Sequence, residues 1–332
     1  MKHSNISIFI PHIGCPNMCS FCNQRTISGA QKAPSVQEVR EICKKALAES
    51  KSPENTEIAF FGGSFTAIPK DYMIGLLEVV QEFIGEGKFR GIRISTRPDC
   101  IDEEILYILK MYNVTAIELG AQSMIDEVLE ANDRGHTSAD VENASELIKF
   151  FGFELGLQMM VGLYRSTPEQ DLETARKISA LKPDTARIYP VVILKGTRLA
   201  ELLEAGEYLP CSFETALETS ASAMIMLEGS GVRVIKCGLH ASEFVENDMV
   251  GGFYHPAFRE LCEGMIYRYN MSFEISSCPS KTAEYTFAVN PSCISKAMGH
   301  KKSNAEYFRQ HGINIKIVGD ITVPKYRCEL RR

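Results

Sequence analysis

The sequence predicts an α/β fold: parallel strands and helices alternating into a partial or full TIM-type (β/α)6 barrel, followed by a small C-terminal α+β module. Three observations carry this. Six short runs rich in Ile, Val or Phe recur over residues 7–194, several almost wholly apolar, as in strands covered on both faces. Helical patterns separate them, as crossovers between parallel strands require. Beyond residue 270 the order changes to strand, helix, turn, helix, strand.

The strands are expected at 7–13, 56–63, 91–96, 116–121, 153–163 and 186–194. The first helix, 35–50, opens on Ser35 with Glu38 three residues later, a capping box. Helices at 71–85, 101–112, 138–152 and 167–181 follow, then an apolar helix at 213–229 and a strand at 232–239. Two domains are expected, 1–270 and 271–332; the second reads as a strand at 284–290, two helices within 291–312 and a strand at 313–319. In a parallel β/α array, functional residues belong in the loops after the C-terminal strand ends.

The chain has 332 residues, 45% of them apolar and 23% charged, which suits a sizeable core and excludes disorder. Its formal charge of −6 is uneven. Residues 281–332 carry ten Lys/Arg against four Asp/Glu, and the remainder 26 against 38, so a basic tip follows an acidic body. No run approaches the ~18 apolar residues of a membrane helix, and the N-terminus lacks a signal-peptide layout, so a cytoplasmic location without membrane contact is expected. Eleven cysteines in such a chain are expected as thiols and metal ligands rather than disulfides.

The loop after the first strand, IGCPNMCSFCNQ at 13–24, holds Cys15, Cys19 and Cys22 in the spacing C-x3-C-x2-C. Thiolates so close together bind zinc or iron–sulfur clusters. No second C-x2-C and no H-x3-H follows to complete a zinc site, although scattered Cys278, Cys293 or histidines are available. The other solution is a 4Fe–4S cluster on three cysteines, with one iron open to a substrate or cofactor. FFGGSF, at 60–65, ends the second strand on the same rim; Gly62 and Gly63 there allow a ligand close to the backbone.

On these residues the chain resembles the radical S-adenosylmethionine (SAM) superfamily, with residues 14–24 as its cluster loop. The resemblance implies that SAM chelates the open iron. An electron, from a reductant such as flavodoxin or ferredoxin, then cleaves SAM to a 5′-deoxyadenosyl radical that abstracts hydrogen. It implies Phe21 near the adenine and Gly62, Gly63 and Ser64 at the SAM amine, Ser64 replacing the commoner Glu or Thr. STRPDCID (95–102), IELGAQS (117–123), DRGHT (133–137), LQMMVGL (157–163) and RIYPVVILKGTRLAELLEAGEYLP (187–210) narrow the likeness. Over residues 7–265 they resemble the radical-SAM domain of the Elongator catalytic subunit and, more loosely, oxygen-independent coproporphyrinogen oxidase. By position, Gln122 then matches a contact to the SAM ribose and Arg134 one to its carboxylate. Ser95 stands where relatives often have Glu, Gln158 where the porphyrinogen enzyme has Asp, and Tyr164 replaces Pro. Tyr189 and Lys195, at the end of the sixth strand, are candidates to face substrate; a core tyrosine and a rim lysine are the ordinary alternatives.

Two departures limit the likeness. Gln24 occupies a position where the porphyrinogen enzyme usually has a further cysteine. The Elongator subunit also carries an acetyltransferase domain, for which the residues after 270 are too few at roughly 150 needed, so its acetyl-CoA chemistry is not expected. Cys237, His240 and His255 are too loosely spaced to define a metal site, and Cys262, Cys278, Cys293 and Cys328 are expected as buried thiols.

The tail at 288–319 resembles a KH module, whose G-x-x-G turn clamps a nucleic-acid backbone. The turn is Gly299-His300-Lys301-Lys302, with Lys302 replacing the second glycine. Gly299, Lys301 and Lys302 are therefore the expected RNA contacts, unless the module is only structural. The leading expectation is a radical SAM enzyme acting on RNA, a tRNA base. A small-molecule substrate such as a tetrapyrrole is second. A non-catalytic iron–sulfur protein that binds RNA or senses redox state is the reading from another class.

Overall fold

The computed structural model describes residues 4–11, 13, 15, 18–23, 26, 27, 29, 32–240, 242–279 and 282–331. Positions 14, 16, 17 and 24 of the expected cluster loop, and position 12 of the first strand, lie outside these.

Seven strands form one wholly parallel sheet: β1 (Ser4–Ile10), β2 (Thr56–Gly62), β3 (Gly91–Thr96), β4 (Val114–Gln122), β5 (Glu154–Val161), β6 (Thr185–Pro190) and, after an intervening short strand β7 (Val192–Leu194), β8 (Arg233–Cys237). The order in space is β1-β2-β3-β4-β5-β6-β8, with no pairing between β1 and β8 among the described residues. The sheet is therefore an open half-barrel, curled so that side chains from β1 and β8 line one cleft. Crossovers are made by α1 (Val36–Glu49), α2 (Lys70–Val80), α3 (Glu103–Met111), α4 (Asp126–Ala131) with α5 (Ser138–Phe150), α6 (Pro168–Leu181), and α7 (Arg198–Glu204) with α8 (Phe213–Gly229). The Ser35 hydroxyl accepts from the Glu38 amide at 3.2 Å and the Glu38 carboxylate from the Ser35 amide at 2.7 Å, the expected capping box. Ile58, Phe60, Ile92, Ile94, Ile117 and Ile188 join the core, meeting Leu76, Leu77, Leu106 and Ile148 of the helices.

The run expected as one strand over 186–194 is two. Pro190 has no N–H to continue the ladder, and beyond it β7 pairs antiparallel with β9 (Met249–Gly252), which follows α9 (Glu243–Asp248).

Helix α10 (Phe258–Ser277) joins two cores. Phe258, Cys262, Met265 and Ile266 pack into the barrel core, while Tyr267, Met271 and Ile275 pack into a second one. That second core lies under β10 (Glu284–Val289), α11 (Ile294–Met298), α12 (Ser303–Gln310), β11 (Asn314–Gly319) and β12 (Cys328–Arg331). The three strands order as β11-β10-β12, β11 parallel and β12 antiparallel to β10. Strand β12 was not expected from the sequence. The boundary expected at 270/271 falls inside α10.

Candidate functional site

The C-terminal strand ends and their loops enclose a cleft of about 1140 Å³, lined by Cys15, Cys19 and Cys22 together. Three hydrogen bonds at Ser20, to two residues, hold the cysteine loop. The Ser20 amide donates to Asn132 O at 3.1 Å, its hydroxyl to Asn132 Oδ1 at 2.7 Å, and the Leu199 amide to Ser20 O at 2.8 Å. Asn132 is itself buried and donates to Tyr164 O at 2.9 Å. Between the second and third cysteines, Cys22 N–H donates to Cys19 O at 3.0 Å, closing a turn. Among the described residues no three His, Cys, Asp or Glu side chains converge on a single metal ion. A closed zinc site needs four ligands around one point; an iron–sulfur cluster takes each thiolate at a separate iron. The donor set among the described residues, three thiols on one cleft, fits the cluster.

Gly62, Gly63 and Ser64 lie beside the cysteines. A Cβ on Gly63 would stand 2.0 Å from Ile13 O, and Gly62 has φ +110°. Only glycine lets the strand end pass this close to the cysteine loop. Ser64 Oγ is buried, 3.9 Å from Cys15 Sγ. Phe21 lines the cleft and packs on the barrel core.

At the end of β4, Gln122 adopts φ +65°, a left-handed conformation uncommon for a side chain of its size. Arg134 donates to Cys19 Sγ at 2.9 Å and to Gly120 O at 2.6 Å. Gln122 Oε1, Arg134 Nε and Arg97 Nη1 are buried with no partner among the described residues. An acceptor and two guanidinium donors left unpaired in one place suit a ligand bearing hydroxyls and a carboxylate, the groups of SAM. Nearby, burial and the Arg134 charge push His136 down to about 4, so its ring is neutral and donates Nε2–H to Ala121 O at 3.2 Å.

The opposite part of the lining comes from Ser95, Gln158, Arg187, Tyr189, Lys236 and His240. Gln158 Nε2 donates to Glu118 Oε2 at 2.9 Å and to Ser95 Oγ at 3.4 Å. Burial raises the Tyr189 phenol above its ordinary value. Below them an ionic layer crosses the sheet. Buried Arg93 binds Glu57 and Glu154 at 2.8 Å each and Glu118 at 3.4 Å, and Arg187 binds Glu118 at 2.6 and 2.8 Å. Sequence reasoning missed Arg97, Arg187, Lys236 and the carboxylates that hold this layer. For Arg187 and the layer's carboxylates the signal was a lone charge in each apolar run.

Lys195, a candidate to face substrate, is not among the residues lining the cleft, although its neighbours Leu194 and Gly196 are. The turn of the chain after Pro190 leaves it exposed on the β7–β9 ribbon, where its Nζ donates to Asn247 O at 2.9 Å. The tail residues lie apart from the cleft lining. Gly299 is buried against α10, where a Cβ on Gly264 would come within 3.2 Å of its Cα, while Lys301 and Lys302 are exposed with φ of 51° and 64°. His300 turns back onto α10, bonding Glu260 at 3.1 Å and packing edge-on against His255 at 5.6 Å. Neither His255 nor His240 joins Cys237, whose sulfur meets Cys262 at 3.7 Å; Cys293 and Cys328 are buried in the second core. No helix among the described residues is long and apolar enough to cross a membrane.

Comparison with known proteins agrees with this geometry. The Radical SAM superfamily model matches residues 9–178, and a Radical_SAM C-terminal domain model matches 183–268. An uncharacterised protein of Methanocaldococcus jannaschii is 30% identical over 213 residues, 62% of each chain. The tRNA uridine(34) acetyltransferase of the same organism is 39% identical over 183 residues, 49% of this chain and 34% of its own. The chain thus spans less than two thirds of the length of either relative. Among solved structures, an N-terminally truncated archaeal Elp3 of Methanocaldococcus infernus shares the fold with a TM-score of 0.56 and 21% identity, over 74% of this chain and 61% of that one. The superfamily match takes in half of the chain, including the three cysteines, the glycine pair, Gln122 and Arg134, so this protein belongs to the radical SAM superfamily, an enzyme whose cofactors are a 4Fe–4S cluster and SAM.

Proposed function

We propose that this radical SAM enzyme acts on RNA and abstracts hydrogen from a tRNA base. When bound, the cluster and SAM supply a 5′-deoxyadenosyl radical. The chain's own residues do the rest. Cys15, Cys19 and Cys22 hold the cluster, with Arg134 donating to the Cys19 sulfur. Gln122, Arg134 and the Gly62–Gly63 strand end orient SAM along the rim.

The observation that carries the RNA reading is the exposed Lys301–Lys302 turn, fixed to the same helix that closes the barrel core. The naming of a relative as a tRNA uridine(34) acetyltransferase supports it. Binding of total tRNA against salt is the test. Affinity should fall steeply as salt rises, and K301A/K302A should lower the slope of log K against log salt by about 1–2. Binding that ignores salt would leave the enzyme assignment intact and remove RNA as its substrate.

A further inference from the structure

Among the cations that line the cleft, Arg97 pairs with Asp99, Arg187 with Glu118, and Arg134 donates to Cys19 Sγ and Gly120 O; Lys236 has no such partner among the described residues. Lys236 lies on β8 in register with Arg187 on β6, half-buried and lining the cleft. Among the described residues no hydrogen bond or ion pair reaches its ammonium. Of the titratable side chains that bear on it, Arg187 and Arg259 are positive and Cys237 is a thiol that acts the other way; none is a carboxylate. Arg259 is occupied elsewhere, donating to Val234 O at 2.8 Å and Glu263 at 3.0 Å. Four residues beyond Lys236, His240 lines the same cleft. The Arg187 and Arg259 guanidiniums have their own carboxylates, but a partly desolvated ammonium without a counter-ion of its own is costly unless an anion joins it. Consistently, burial and the Arg187 charge hold the Lys236 pKa below its ordinary value.

We propose that Lys236, with Arg187 and His240, forms a subsite for an oxyanion of the substrate and so sets how the substrate is seated in the cleft. This rests on the cleft being the substrate site, as above, but not on the substrate being RNA. A backbone phosphate of RNA and a carboxylate of a small molecule share the chemistry, and separate arms of one experiment tell them apart.

Full-length protein is titrated with inorganic phosphate, glutarate and total tRNA, as wild type, K236R and K236M. Thermal unfolding and peptide-resolved acylation of Lys236 in the wild type are followed. Phosphate or glutarate should raise the Tm of wild type and K236R but not of K236M, and should slow acylation of Lys236. With RNA as substrate, K236M should weaken tRNA binding at least tenfold or so, and K236R less. A response to phosphate or glutarate without one to tRNA would keep the subsite and remove the RNA reading. The subsite is overturned if none of the three probes protects Lys236, or if K236M with wild-type circular dichroism responds to them as wild type does. Should K236M fail to fold, the acylation of wild-type Lys236 decides alone.

Discussion

Cys15, Cys19 and Cys22 line one cleft, and each is expected to hold its own iron. Replacing any of them by alanine should drop reconstituted iron well below about four per chain and bleach the cluster's visible absorbance. Iron counting checks this, and retention of about four irons in C19A would count against the assignment. His136 carries a second prediction. Its pKa of about 4 lies below the ordinary 6.5, so the unfolded chain takes up the proton first as pH falls. The stability it contributes is full above pH 6.5 and is lost as pH falls towards 4, by at most about 3 kcal/mol. Urea unfolding at pH 7.5 and 4.5 should show a smaller loss in H136Q than in wild type. The cysteines were legible because their spacing is local. Arg187 and Lys236 were not, since a charge in an apolar run does not say what it faces. Lys195 was placed at the end of the sixth strand, and the break at Pro190 puts it instead just past a separate strand.

Most strands and helices fell within a few residues of the sequence expectation, because parallel strands buried on both faces leave near-continuous apolar runs. The misses have local causes. The four residues of β12 carry too short an alternation to register. Helix α10 serves two cores, so its apolar positions follow no single stripe and its continuity across 270 left no trace. What fastens the tail to it is specific. Asn304 is buried and donates to Gly264 O at 2.7 Å and Ala297 O at 3.0 Å, tying α12 to α10 and α11. N304A removes both bonds and should cost about 1–3 kcal/mol, read as a lowered urea midpoint. An unchanged midpoint would mean that the tail is held by other contacts.

At the scale of the molecule, an acidic half-barrel carries the cofactor residues along its rim, and a basic tip is mounted on the helix that closes its core. The barrel was readable from strand and helix alternation, and its functional rim from the three-cysteine loop, while its closure was left as partial or full. The charged layer beneath the cleft emerged only when five strands were placed side by side. The central claim is that this rim performs SAM-dependent radical chemistry and that RNA is the target. The direct measurement is 5′-deoxyadenosine formed by anaerobically reconstituted, reduced protein with SAM, in the presence and absence of total tRNA. The account predicts deoxyadenosine from wild type, more of it with tRNA, and none from C19A. An intact cluster with bound SAM that yields no deoxyadenosine under either condition would contradict it.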